Sequence, residues 1–277
     1  MAYNIKVIQR RFSHQKFRNP GKSGYFRPES VSTMNRNRCL LWTGICTQRC
    51  HKKEFLLKFH CDKRNWLHWL YQAKQRFHIS ILNYMVTSNH VHVLAQCDKE
   101  NNYIAKTIHL ASGRTAWEYN QRKRRKGAFW QDRYHATAVE TDKHLIQCMM
   151  YIDVNMVRAG VVKHPREWPF CGYQEIVGHR QRYTLIDLEK LLHIMETDIK
   201  AFRETYNRRI EGYLSLRKFQ RESCWTESIA IGGQDFTERI RAKLGIKAKG
   251  RKIVEKKGSF ELREERISYR TILAPKI

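Results

Sequence analysis

Residues 77–95 read Phe-His-Ile-Ser-Ile-Leu-Asn-Tyr-Met-Val, then Thr-Ser-Asn, then His-Val-His-Val-Leu-Ala. Two runs of β-forming residues flank a short polar turn, which is the pattern of an antiparallel hairpin. The first strand is expected over 77–86 and its return over 90–95. Upstream, residues 40–48 (Leu-Leu-Trp-Thr-Gly-Ile-Cys-Thr-Gln) suit a strand, and 53–76 space Phe55, Phe59, Trp66 and Leu70 as a helix does. Downstream, a helix is expected over 101–125, a strand over 129–139, and a helix over 142–159 bounded by Thr141-Asp142 and Gly160. The order strand, helix, strand, strand, helix, strand, helix suits an α+β sheet with helices on one face. Residues 185–245 look mainly helical, and 246–277 form a basic, mixed segment.

The hairpin carries the first chemical signal. Side chains alternate between the faces of a strand, so His90 and His92 point one way while Val91 and Val93 point the other. Two imidazoles on one face make half of a metal site. The pair is weak evidence alone, since 13 His in 277 residues produce about 0.6 such pairs by chance. Two incidentally packed histidines are the plain alternative.

The helix expected over 142–159 carries the second signal. At 100° per residue, His144, Gln147, Tyr151, Asn155 and Arg158 fall in one narrow stripe on an otherwise apolar helix. Solvated faces are usually wider and rich in Lys and Glu. The plain alternative is an amphipathic tyrosine at a helix edge. Together the two elements suggest phosphodiester chemistry. A tyrosine hydroxyl, with its pKa near 10, needs an activated electrophile. A divalent cation on His90, His92 and the Asn155 amide oxygen would polarise the phosphorus. Tyr151 would then take the 5′-phosphate and release a 3′-hydroxyl, with the bond energy kept in the phosphotyrosine.

Composition supports a polyanionic partner. Lys and Arg number 53 against 26 Asp and Glu, a net charge of +27. That balance argues against an ordinary small-molecule enzyme. The excess is spread as +8 over 1–38, +11 over 39–180 and +8 over 181–277. Phosphate contacts are expected from Arg122, Lys123, Arg124, Arg125 and Lys126, from the basic stretch 239–257, and from Arg158. No run approaches the length of a membrane span, no amphipathic anchor or lipidation motif stands out, and the N-terminus lacks an apolar leader core. A cytoplasmic protein with reduced thiols is expected from its eight Cys. Cys46, Cys50, His51, His60 and Cys61 do not have the spacing of a standard zinc finger. Tyr134 is a rival nucleophile that lacks an amide at i+4.

Ser88-Asn89-His90-Val91-His92-Val93-Leu94 and Tyr151-Ile152-Asp153-Val154-Asn155-Met156-Val157-Arg158-Ala159-Gly160 resemble the single-tyrosine, His-hydrophobic-His transposases, including the REP-associated tyrosine transposases of bacteria. The likeness covers roughly 39–180 and extends to Trp130-Gln131-Asp132-Arg133-Tyr134 and Trp168-Pro169-Phe170-Cys171-Gly172-Tyr173. Ile231-Gly232-Gly233-Gln234-Asp235-Phe236 resembles a segment of longer members. The resemblance implies Tyr151 as nucleophile and His90, His92 and Asn155 as metal ligands for Mg²⁺ or Mn²⁺. It also implies a ferredoxin-like antiparallel sheet, single-stranded DNA substrates with hairpins, and a place at the bacterial nucleoid. A homodimer is an open expectation. Thr87-Ser88 stands where the family usually has Met-Pro, and Met156 where it has Pro. The expected organisation is a basic arm over 1–38, a catalytic domain over 39–180, and a mainly helical extension over 181–277. A non-catalytic nucleic-acid-binding relative is the alternative.

Overall fold

A computed structural model describes residues 43–97, 103–141, 143–179, 184–216, 220–256 and 258–264. The basic arm expected over 1–38 lies outside the described residues.

The hairpin forms as its pattern dictates. Strand β2 runs Ser80–Val86 and β3 runs His90–Gln96, antiparallel and joined by the turn 87–89. Strand β1, Thr43–Arg49, pairs antiparallel with β3, placing Thr47 opposite His92 and Arg49 opposite His90. Strand β4, His135–Val139, pairs antiparallel with the other edge of β1. Helix α1, His60–Phe77, connects β1 to β2, and helix α2, Tyr103–Lys123, connects β3 to β4. The order β2-β3-β1-β4 in a β-α-β-β-α-β chain is the ferredoxin-like arrangement.

Helix α1 begins later than the spacing of its apolar residues suggests. Residues 51–59 form a short 3-10 turn and a loop, with Phe55 and Phe59 exposed while Leu56 and Leu57 are buried. Strand β4 likewise starts at His135, six residues past the expected 129.

Helices cover both faces of the sheet, not one. On the Val91 face, Ser112 of α2 donates to the Gln48 side chain at 2.5 Å, and the Trp130 indole donates to the Ser112 carbonyl at 3.0 Å. On the His92 face lies helix α3, Lys143–Asp153, where the Asn83 amide donates to the Met149 carbonyl at 3.2 Å. Asn83 lies directly opposite Leu94, so it shares the face of His92. The physical reason is the apolar majority of α3: Leu145, Cys148, Met149 and Ile152 are fully buried against a sheet whose second face needs cover. Each such side chain contributes about 1.5–3 kcal/mol by leaving water.

The expected single helix over 142–159 is broken. Val154, at φ −82° and ψ 6°, separates α3 from the short α4, Asn155–Arg158. Beyond it, α5 spans Tyr173–Ile176, α6 Leu188–Ile194, α7 Ile199–Ser215, and α8 Cys224–Glu227. Asp187 and Asp198 cap α6 and α7 by accepting from backbone N–H groups. Helical structure thus dominates 188–244, as expected, and ends with α9, Gln234–Leu244.

The extension also adds strands. Strand β5, Ala230–Gly232, pairs parallel with β4 through Ala138 and Val139. The basic tail folds as the hairpin β6, Arg251–Lys256, and β7, Ser259–Glu264, with β7 against β5. The result is one seven-stranded sheet, β2-β3-β1-β4-β5-β7-β6. Ala138, Ala230, Ile240 and Leu262 form a second small core beneath α9. The Gly232-Gly233 backbone does not present an open helix N-terminus, because the Glu140 carboxylate accepts from the Gly233 N–H at 2.6 Å.

Candidate active site

Strand alternation puts His90 and His92 on one face of β3, with ring centroids 4.9 Å apart and nearly perpendicular. Each imidazole is held at Nδ1. The Thr47 hydroxyl sits 2.8 Å from His92 Nδ1, reached across the β1–β3 register. His90 Nδ1 lies 2.9 Å from the Thr87 hydroxyl and 2.8 Å from Asn89 Oδ1. An amide oxygen only accepts, so His90 Nδ1 carries the proton and Nε2 keeps its lone pair. On His92, Asn155 Nδ2 donates to Nε2 at 3.3 Å, which assigns its proton to Nδ1 as well. The Asn155 side chain also hydrogen-bonds His90.

Electrostatics keeps both rings neutral. Burial pushes His90 down to about 4, helped by Arg49, Arg158 and Arg221. Burial drives His92 well below its ordinary value, with His90 and the same three arginines adding to it. Neutral imidazoles with inward lone pairs are the ligand form, and the hydroxyls on Nδ1 are the usual outer partners of such ligands.

Tyr151 lies against this cluster. Its ring packs edge-on to His92 at 5.8 Å between centroids. The Arg158 guanidinium stacks over the ring at 4.0 Å and donates to the Tyr151 carbonyl at 3.0 Å. Asn155 and Arg158, four and seven residues on, lie on the stripe of Tyr151 and reach the same site from α4. Tyr151 is 5% exposed. Burial raises its pKa, opposed by Arg158 and Arg221.

His90, His92, Tyr151, Asn155 and Arg158 therefore converge, as the sequence suggests. His144 does not join them; its ring turns toward Ser259 Oγ at 3.0 Å and Glu140 at 3.8 Å. Gln147 is exposed. The basic cluster divides by role. Arg122 pairs with the buried Asp62, and Arg125 donates to the Gly127 and Ala128 carbonyls and lies 3.7 Å from Glu54. Lys123, Arg124 and Lys126 are exposed.

Two contributors came from outside the motifs. Trp225 of α8 lies 6.2 Å from the Tyr151 ring, and its carbonyl accepts from Thr137 at 3.3 Å. Arg221, just before α8, acts electrostatically on His90, His92 and Tyr151 together. Neither is predictable from local pattern, since each reaches the site by the fold of the extension. Thr47 and Thr87 were missed as partners of the histidines, since the hydroxyl of Thr47 reaches His92 only through the β1–β3 register and that of Thr87 reaches His90 through the fold of the turn.

Among the described residues no cluster of three or more His, Cys, Asp or Glu side chains forms. The candidate ligand set is two imidazoles and an amide. It fits a divalent cation, because both inward nitrogens are unprotonated and a turn of the Asn155 amide would offer its oxygen to the same space. Mixed nitrogen and oxygen donors suit Mn²⁺ well, and Mg²⁺ with waters completing its shell.

The family described as "Transposase IS200 like" matches residues 45–155, a span that opens in β1 and closes on Asn155. A curated relative from Haemophilus influenzae, described as a REP-associated tyrosine transposase, is 26% identical over 101 residues, covering 33% of this chain and 57% of the relative. The chain thus spans somewhat over half the length of that relative. A solved structure titled as a REP-associated tyrosine transposase bound to a REP hairpin aligns with 20% identity and a TM-score of 0.40, covering 52% of this chain and 82% of that one. Over residues 45–155, which run from β1 through β4 and the tyrosine helix, this chain is similar to the IS200-like transposases.

Proposed function

We propose that this protein is a DNA strand transferase that cleaves and rejoins hairpin-bearing single-stranded DNA through a 5′-phosphotyrosine on Tyr151. The observation that carries the reading is the convergence of two neutral histidines, an amide and a tyrosine on one face of the sheet. His90, His92 and Asn155 would hold Mg²⁺ or Mn²⁺, which when bound supplies Lewis-acid polarisation of the scissile phosphate. Thr47 and Thr87 keep the two rings in their ligand orientation. Arg158 holds the Tyr151 ring from above and, with Arg221, favours the phenolate against the cost of burial. Tyr151 Oη forms a bond to phosphorus as the bond to the 3′-oxygen breaks. The phenol loses one proton and the departing 3′-oxygen gains one. Attack by a 3′-hydroxyl on the phosphotyrosine reverses the sequence without an external energy source. The exposed basic surface would carry the flanking backbone and hairpin.

One observation favours a second reading. The nucleophile is nearly covered, with Trp225 beside its ring. A non-catalytic nucleic-acid-binding relative would tolerate that cover.

A covalent-adduct assay separates the two. Labelled single-stranded hairpin oligonucleotides are incubated with the full chain and Mg²⁺ or Mn²⁺, then resolved on a denaturing gel. A protein–DNA band lost with Tyr151→Phe, with His90→Ala and with EDTA is expected. Cleavage without a band would make Tyr151 structural and water the nucleophile. Binding with neither would support the non-catalytic reading.

A further inference from the structure

The loop 51–59 holds large apolar side chains in solvent beside the turn that delivers His90. Phe55 is 65% exposed and Phe59 is 53% exposed. Between and beside them, Leu56 and Leu57 are buried, so the loop is pinned rather than loosely draped. It is also stitched to the hairpin. The Cys50 N–H donates to the Asn89 carbonyl at 2.8 Å and the Leu57 N–H to the Ser88 carbonyl at 2.9 Å. The Asn89 side chain donates back to the Lys53 carbonyl at 3.2 Å.

The backbone of this loop is strained. Lys52 and Lys53 sit at φ 50° and 62°, two consecutive side-chain-bearing residues in the left-handed region. Each such residue carries a cost that the surroundings must hold in place. Lysines gather around the exposed Phe59 ring. Lys52, Lys53 and Lys58 are exposed, and the Lys58 ammonium lies 5.9 Å from the Phe59 centroid. From the end of α2, the Lys123 ammonium lies 5.5 Å from the same ring. A ring flanked by two lysines, with a second exposed ring four residues before it, suits a strand that offers both flat bases and phosphates; a purely apolar partner would leave the ammonium groups unmatched.

We infer that Phe55 and Phe59 form a stacking platform for unpaired nucleotides, with Lys58 and Lys123 on the adjoining phosphates, so that a single strand lies along the loop beside His90. The assignment rests on the proposed reading of the protein as a single-stranded DNA enzyme, and it adds a subsite for the unpaired flank of the hairpin.

The test measures binding by fluorescence anisotropy, which needs no cleavage. Three probes are used with the full chain: an oligothymidylate, a blunt DNA hairpin, and the same hairpin with an unpaired tail. Phe55→Ala and Phe59→Ala are each expected to weaken the oligothymidylate and the tailed hairpin about 10-fold. The blunt hairpin should be held as before. Phe59→Trp should keep affinity, and its added indole fluorescence should be quenched by the oligothymidylate. Lys58→Ala and Lys123→Ala should each lower the salt slope of tailed-hairpin binding by about one, while the alanine variants of the phenylalanines leave it unchanged. Equal losses on blunt and tailed hairpins, or no loss on any, would overturn the platform. So would a wild-type chain that binds neither single strand nor tail. A fall in oligomeric state on sedimentation, at unaltered affinity for DNA, would assign the rings to a second copy of the chain instead. A missing covalent adduct with the stacking results intact would overturn only the strand-transfer reading.

Discussion

Thr87 shows how a single residue alters the reading of a motif. It stands where the resembling family usually has Met, and its hydroxyl accepts from the His90 N–H at 3.0 Å while lying 2.9 Å from the ring Nδ1. Thr47 does the equivalent for His92. Thr47→Val keeps the bulk and removes the partner of His92 Nδ1, so Mn²⁺ affinity should fall about 10–100-fold, whereas Thr87→Val leaves His90 Nδ1 its bond to Asn89 and should cost less. Titration calorimetry checks this, with thermal melts verifying that the fold persists. The same rings set an acid response. Their pKa values in the folded protein lie below the unfolded value, His90 at about 4 and His92 well below its ordinary value. Groups shifted in that direction stabilise the fold above the ordinary value of 6.5, and that stability is lost as pH falls toward 4. Urea midpoints should therefore drop through this window, and His90→Gln should flatten the drop.

At the scale of elements, the tyrosine helix owes its position to the extension as much as to the sheet. The Tyr206 hydroxyl of α7 donates to Asp153 at the end of α3 at 2.5 Å. Burial pushes Asp153 up to about 7, with Tyr206 and Asn83 acting in opposition. Removing the hydroxyl leaves a buried carboxyl short of a donor. Tyr206→Phe should destabilise the protein by about 1–3 kcal/mol in urea unfolding. The break at Val154 belongs to this scale as well. The helical hydrogen bonds run on through the break, from the Val154 N–H to the Met150 carbonyl and from the Arg158 N–H to the Val154 carbonyl, each at 2.9 Å. Asn155 and Arg158 therefore stay on the stripe of Tyr151 that the 3.6-residue period gives them, and reach His92 and the tyrosine ring.

At the scale of the whole molecule, a net charge of +27 sets the response to salt. Binding to DNA should weaken steeply as salt rises, by about 0.9 in logarithmic slope for each phosphate neutralised. The structure refines which charges count. Arg124→Ala and Lys126→Ala, at exposed sites, should each reduce the slope by about one and leave the melting temperature alone. Arg122→Ala should lower the melting temperature, because it leaves Asp62, 3% exposed, without its guanidinium. Anisotropy titrations across a salt series, with melts of the same variants, measure both. Among the described residues no helix is long and apolar enough to cross a membrane.

Local pattern determined much of this protein. Period-two alternation defined the hairpin and put His90 and His92 on one face, because that alternation is a property of the strand itself. The 3.6-residue period put Tyr151 among apolar neighbours on a helix, and the element order implied an α+β sheet, which the resemblance narrowed to the ferredoxin-like arrangement observed. Tertiary structure decided the rest. The apolar spacing that begins at Phe55 looks helical, yet the loop is held out of the helix by bonds to residues 88 and 89, more than 30 positions away in sequence. The second helical layer, the added strands β5 to β7, and the arrival of Arg221 and Trp225 at the tyrosine all depend on contacts between distant segments. Such contacts are chosen by which buried faces remain uncovered after the local elements form, and no short window of sequence contains that information.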